Sequence, residues 1–455
     1  MPAALTQIYA NFAASWQELA IPAESLAVAR LGFTDCVGVM LAGRQEEAVQ
    51  RLASHVLAQG ATPKSRMVGA PRRVSMVQAG LVNATAAHAL DYDDFAFSNH
   101  PSAVLVPTVL AAADACDGSV SGRQMVAAYL VGYEIWADLM LREKDLFYGK
   151  GWHPTAVLGP IGAAAAASVV LDLNASQAKD ALALAASDSG GVFENFGTMA
   201  KPWHGGRAAA AGLNAAALAS VGLAASATAL EGKFGLMRAL SPRGEVDLET
   251  PPQVGHVWRS ATVRLNIKKY PTVGASQRCI DAVLTLNQLA KIDPARVTKI
   301  VAHISERHAA VMPYHLPQDA LQAKFSLEFA IASALVYGAV GFKQLDGAVV
   351  RSPAMQRLMS LVATETTAEF EPDWRDAAPF DIVHFTLDDG RVASTPQVRR
   401  ATGHADTPLS NQALWEKFLG CARHTGIAEP IAAALFETLQ RIDQVQGVAE
   451  IEMPE

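Results

Sequence analysis

The chain has no closely spaced cysteines. Its four, Cys36, Cys116, Cys279 and Cys421, stand far apart and form no C-x-x-C pair. That excludes a sequence-local zinc or iron–sulfur signature and gives no disulfide framework. A reduced, cytoplasmic setting is the expectation. Runs of Lys or Arg are missing and the net charge of -7 is mild and spread out, so nucleic acid and anionic membrane surfaces are not expected partners. The glycine-rich pieces make neither G-x-G-x-x-G nor a Walker A string, which leaves dinucleotide and NTP binding without support. G-x-S-x-G and H-E-x-x-H are missing as well. The first 26 residues lack a basic n-region and set Gln7, Asn11, Gln17 and Glu18 among apolar positions; they read as a helix, not a signal peptide. The uncharged run from Ala208 to Leu230 is long enough to span a bilayer. It is mostly Ala with Asn214, Ser220, Ser226 and Thr228, a composition suited to a core helix in close contact with other helices.

What is present is a large apolar fraction. Hydrophobic residues make up 51% of the 455 and charged residues 18%, ample for a buried core and too long a chain for one core alone. Helical spacing covers residues 5–20, 24–43, 45–59 and 74–90. A polar loop, 91–99, follows. Alternating, strand-like segments begin near residue 263: 263–268, 297–303, 381–387 and 391–395, the last two joined by Asp388-Asp389-Gly390 as hairpin chemistry. Helices at 276–289, 326–337 and 353–361 lie between them, and helical period returns from 411 to 445. The expected architecture is mainly α: a discontinuous helical domain, 1–265 plus 398–455, with a smaller α+β domain inserted at 266–397. A cleft between two such domains is a common ligand site.

Three stretches place a basic residue before proline and an alanine-rich run. His100-Pro101-Ser102-Ala103-Val104-Leu105-Val106-Pro107 and His153-Pro154-Thr155-Ala156-Val157-Leu158-Gly159-Pro160 are nearly one string, and Lys201-Pro202-Trp203-His204-Gly205-Gly206-Arg207 is the third. Proline suits the first position of a helix, so each reads as a helix start with His100, His153 or Lys201 at or just before the N-cap, an end that attracts anions. The starts are 53 and 48 residues apart, a loose repeat of one helical hairpin with turns at Asp117-Gly118 and near Asp172-Leu173-Asn174. Loops 142–152 and 188–200, rich in glycine and aromatics, run into His153 and Lys201 and are expected to help form the same site. Singly, each histidine reads first as an N-cap or structural residue; the repeated string brings a site level with that reading. Asp93 and Asp94 are either loop acids or groups that orient His100. Lys201 is either a snorkelling lysine or a buried base. Arg207 and His204, a turn on, bind either backbone or a substrate carboxylate.

Together, Asp91-Tyr92-Asp93-Asp94 with His100-Pro101-Ser102, Gly151-Trp152-His153-Pro154-Thr155, Lys201 with Gly206-Arg207-Ala208, Leu230-Glu231-Gly232, Lys269-Tyr270-Pro271 and Ala323-Lys324-Phe325-Ser326 resemble the MmgE/PrpD superfamily. Its members include 2-methylcitrate dehydratase, cis-aconitate decarboxylase and iminodisuccinate epimerase. The resemblance implies an all-helical domain with a smaller lid domain, homodimers, no metal, no organic cofactor and catalytic positions at Asp93, His100, His153, Lys201 and Tyr314. Gln277, Arg207, His204, Lys269 and Tyr148 are the candidate substrate-binding residues. Ser276-Gln277 stands where dehydratase- and decarboxylase-like members usually carry Thr-His, and glutamine cannot exchange protons near neutral pH. The leading expectation is a cofactor-independent hydro-lyase of a small di- or tricarboxylic acid, 2-methylcitrate dehydratase-like. An epimerase is the runner-up, and a non-catalytic small-acid binder the third reading.

Overall fold

A computed structural model describes residues 4–117, 119–372 and 376–454. The chain is mainly α, 55% helix and 8% strand. It divides into two compact units, one of Met1–Ala89, Asp93–Leu265 and Asn411–Glu455, the other of Leu90–Tyr92 and Asn266–Ser410.

The first unit includes the helices α1 (Leu5–Ala14), α2 (Ala23–Gly43), α3 (Glu47–Gln59), α4 (Met76–Ala89), α5 (Pro101–Ala115), α6 (Gly122–Arg142), α7 (Pro154–Val170), α8 (Ala175–Ser187) and α9 (Ala200–Ser220), and, from the end of the chain, Asn411–His424 and Glu429–Gln440, both of which pack on α2. A two-residue ribbon, β1 (Ser65–Arg66) with β2 (Arg73–Val74), precedes α4. The expected turn at Asp117-Gly118 has Gly118 outside the described residues. Helix α2 is long and apolar enough to cross a membrane by length and composition, yet 78% of its apolar window is buried inside the protein. Helix α7 is buried along its whole length and packs on α6 and α9, while α9 also packs on α4.

Small residues permit this. A Cβ on Gly212 would lie 2.4 Å from the Ala163 side chain and 2.5 Å from the backbone nitrogen of Ala164; one on Gly206 would lie 2.2 Å from the carbonyl of Leu81. Glycine at these two points lets α9 approach α7 and α4 backbone to side chain, which brings the ends of those helices together.

Two sequence expectations change here. The alanine-rich run does not continue to Leu230: α9 stops at Ser220 because Gly222 takes a left-handed conformation (φ 90°), with Gly222 N–H bonded to Ala219 O and Leu223 N–H to Leu218 O, both at 3.0 Å. That pair of bonds is a Schellman ending. Residues 263–268 form no ladder, since Arg264 is itself left-handed (φ 59°) and interrupts the alternation.

The second unit holds a four-stranded sheet in the order β4 (Val362–Thr367), β3 (Val297–Ser305), β5 (Ile382–Leu387), β6 (Val392–Ser394). β4 runs parallel to β3, while β5 and β6 are antiparallel neighbours joined through Gly390 (φ 81°). The Thr-rich β4 escaped the sequence reading because it is an edge strand with half its positions exposed. Helix Gln277–Ala290 packs on helix Leu327–Tyr337 and on β5, closing a core around Ile280, Val283, Phe329 and Phe385.

Residues 398–410, assigned from sequence to the helical domain, hydrogen-bond within this unit instead. Ile267 N–H reaches Gly403 O at 2.8 Å, Arg278 reaches Arg399 O at 3.0 Å and Thr402 N–H reaches Asp281 at 2.6 Å. Leu90–Tyr92 join it through the buried Lys268–Asp91 ion pair at 2.9 Å and the Tyr92 hydroxyl on Lys269 O at 2.9 Å.

Candidate active site

His100 and His153 take the N-cap positions of α5 and α7, each with proline at the first helical position and neither side chain capping its own helix. Their rings are therefore available for other partners. Lys201 is two positions further in than an N-cap: Met199 is the N-cap and Ala200 the first helical residue of α9, so the lysine lies in the first turn. All three are buried, His153 completely and Lys201 with 2% exposure.

The polar loop after α4 carries Asp93 into this group. One oxygen of its carboxylate, Oδ2, lies 2.8 Å from His100 Nδ1 and 3.0 Å from His88 Nδ1. His88, at the end of α4, is a residue that the sequence reading missed. Its ring is tilted against His100 at 4.5 Å between centroids and nearly parallel to His153 at 5.7 Å. On the far side, His153 Nδ1 is 3.1 Å from His204 Nδ1. One of these nitrogens must donate and the other accept, so the two rings hold opposite tautomers.

An aromatic wall completes the group. Phe196, from loop 188–200, stands edge-on to His153 at 4.9 Å, and Lys201 Nζ lies 5.3 Å from its ring centre. Tyr148 packs on Phe193 and Phe196, and its hydroxyl donates to Ser98 O at 3.3 Å. Arg207 takes the backbone option of the two left open by sequence: its guanidinium donates to Gly190 O at 2.5 Å and to Asp188 O. It thereby holds the loop that reaches back through Gly191 O to His153 N–H at 2.9 Å.

Burial and mutual repulsion set the charges. Burial pushes His88 and His204 down to about 4; Lys201 adds to this at His88, and His88 and Lys201 at His204. His153 is held well below the ordinary imidazole range by burial, then by Lys201. Burial alone would raise Asp93, but His100 and His88 outweigh it and hold the carboxyl well below its usual range. Its neighbour Asp94 goes the other way, raised by burial and then by Asp35. Adjacent carboxyls are thus shifted in opposite directions, a pattern typical of acid–base sites.

Donor atoms of His88, Asp93 and His100 lie within 4.8 Å of one another, near enough for a cation. Both Nδ1 atoms, however, already address one carboxylate oxygen at hydrogen-bond distance, whereas a metal ligand nitrogen sits about 2.0–2.1 Å from its ion. The geometry is that of a hydrogen-bonded His–Asp–His group.

The structure thus brings Asp93, His100, His153, Lys201 and His204 together, with Tyr148 and Arg207 bordering them. Gln277, Lys269 and Tyr314 belong to the second unit. Gln277 is buried, and its amide is spent on its own loop: Oε1 accepts from Lys269 and Tyr270 N–H at 3.2 and 3.1 Å, and Nε2 donates to Tyr270 O and Thr272 O at 3.0 and 3.2 Å. The expected substrate-facing amide is a loop clamp in this structure. Gln277→Ala is expected to lower stability by about 1–3 kcal/mol through the orphaned backbone groups, read as a drop in Tm; an unchanged Tm would refute the clamp. Lys269 is exposed, with Nζ 5.4 Å from the Tyr270 ring centre. Tyr314 is half-buried and its N–H reaches Phe325 O at 3.4 Å.

Residues 7–249 match the MmgE/PrpD N-terminal domain and residues 270–437 the MmgE/PrpD C-terminal domain. Among curated relatives, cis-aconitate decarboxylase of Mus musculus is 27% identical over 395 residues, 84% of this chain and 80% of its own length. The protein of that name from Homo sapiens is 29% identical over 362 residues, 76% of this chain and 72% of its own. That of Aspergillus terreus is 24% identical over 380 residues, covering 78% and 76%. Both domains are matched in order over most of the length, and the chain belongs to the MmgE/PrpD family.

Proposed function

We propose that the chain is a lyase of small di- or tricarboxylic acids that acts by proton transfer at carbon beside a carboxylate, without metal or organic cofactor. The observation that carries this reading is the buried group of Lys201, His100, His153 and His204 around Asp93, set at the N-terminal ends of α5, α7 and α9. A carbanion beside a carboxylate spreads its charge onto the carboxylate oxygens. Lys201 and the helix N-termini oppose that charge in a site shielded from water.

His153 supplies a proton acceptor. It is neutral, and its Nε2 has no hydrogen-bond partner among the described residues. An arriving polyanion raises the proton affinity of such an imidazole, so substrate binding itself moves the ring toward its working range. In carbon–carbon cleavage the bond to the departing carboxylate breaks, CO2 leaves, the electron pair stays on carbon and an acid in the site protonates it. In dehydration a base takes the proton from carbon, the carbon–oxygen bond breaks and the hydroxyl departs with a proton as water.

The named relatives favour carbon–carbon cleavage over the 2-methylcitrate dehydratase-like reaction that the sequence reading puts first. Incubating the protein with a panel of unsaturated and hydroxylated di- and tricarboxylic acids separates them. Release of CO2 with loss of one carboxylate signal in NMR supports the first; an alkene formed with all carboxylates kept supports the second. Interconversion of stereoisomers supports epimerisation, and saturable binding without turnover of any acid refutes the lyase. Exhaustive chelation is expected to leave turnover intact. Activity lost on chelation and restored by one divalent metal would contradict the metal-free chemistry.

A further inference from the structure

We propose that His88 is a positioning residue: it and His100 grip the same oxygen of Asp93, and through that carboxylate His88 fixes which ring nitrogen of His100 carries the proton. The inference rests on reading the cluster as a proton-transfer site.

Two histidines meet at Asp93. Its Oδ2 receives His88 Nδ1 at 3.0 Å and His100 Nδ1 at 2.8 Å. Its Oδ1 is buried and has no hydrogen-bond partner among the described residues. Two imidazoles therefore hold a wholly buried carboxylate by one atom. An ionised carboxylate only accepts, so each Nδ1 must carry a hydrogen. For His100 the backbone agrees, since the same Nδ1 lies 3.1 Å from the carbonyl of Asp94, which is also only an acceptor. The proton that His100 exchanges is then the one on Nε2, and that assignment lasts as long as Asp93 stays in place.

His88 is well placed to keep it there and poorly placed to do more. It is completely buried between the rings of His100 and His153. The titratable groups facing it are Asp93 and His100 from the segment entering α5, His153 from α7, and Lys201 and His204 from α9. Behind them Asp94 faces Asp35 and Lys417. Of these, Asp93 is the group to which His88 donates. Without the His88 N–H, the carboxylate has one donor left, and its full charge falls on His100. The proton affinity of His100 then rises, and the carboxylate is free to turn.

Histidine ring nitrogens observed by 15N NMR on the substrate-free protein test this directly. In the unsubstituted protein His100 is expected as the Nδ1–H tautomer; finding it as Nε2–H overturns the proposal with no variant needed. In His88→Phe, which keeps a ring and removes the donor, the midpoint of the His100 titration is expected to rise by about one unit. In His88→Asn, whose amide can replace the Nδ1–H, it is expected to stay near the original value. An unmoved midpoint in a folded His88→Phe protein overturns the proposal. Turnover on an identified substrate should fall about 10–100-fold in His88→Phe, with the acid limb of kcat/KM moving in step with the NMR midpoint, and recover in His88→Asn. The NMR arm needs no substrate, so failure of the lyase reading and failure of the His88 assignment are distinguishable.

Discussion

Replacing Lys201 by alanine, or His153 by alanine, is expected to lower turnover by about 100-fold or more, the usual scale for a positioned acid–base or charge-stabilising group. Lys201 is 2% exposed and lies against Phe196, with its charge felt by His88, His153 and His204. Removing it should collapse turnover and raise the proton affinity of those histidines, since its charge no longer opposes theirs. Lost turnover with a retained Tm separates a functional lysine from a structural one. For His153 the loss should persist in His153→Gln, which keeps a polar side chain but cannot exchange a proton near neutral pH. Unimpaired rates in both alanine variants, on a substrate that the protein does turn over, would remove the proposed site.

Acid should unfold the protein unusually early. Burial holds His88 and His204 near 4 and His153 well below its ordinary value in the folded chain, against about 6.5 when unfolded. Between those values the unfolded chain binds more protons than the folded one, so stability rises with pH across the window and falls on acidification through it. The stabilisation is fully present above about pH 6.5 and declines from there toward pH 4. His88, completely buried, accounts for a loss on the order of 2 kcal/mol by pH 5. Asp93 does not offset this, because its depressed value keeps it ionised throughout the window, whereas Asp94, raised by burial, works the other way and offsets part of the loss of the three histidines. Tm measured from pH 7.5 to 5 should drop steadily from about pH 6.5. A flat or rising Tm over that range would mean that the histidines are charged in the folded protein.

The parts of the site written into the sequence are those tied to local rules. His100-Pro101 and His153-Pro154 announce helix starts because proline tolerates only a few positions, and both are found at the first turn of α5 and α7. Lys201 is displaced by two positions because α9 begins at Ala200 behind Met199, a boundary that no residue marks. Gly222 did carry a stop signal for α9, but the alanine run on either side of it masked the ending. His88 could not be found from spacing. A single histidine in the apolar helix α4 gains its meaning from Asp93 and His100, which reach it through tertiary packing. The same limit applies to Gln277. Family strings suggested an amide facing substrate, while the fold uses it to clamp backbone at Lys269–Thr272.

Solvent deuterium tests the central claim most directly. The protein is incubated in deuterium oxide with small di- and tricarboxylic acids, and substrate and product are followed by NMR. Proton transfer by the buried His–Lys–Asp group predicts deuterium at the carbon beside a carboxylate in at least one of these acids or its product, with the label lost in both Lys201→Ala and His153→Ala. No deuterium in any acid that the protein converts, or equal labelling by the variants, would contradict it.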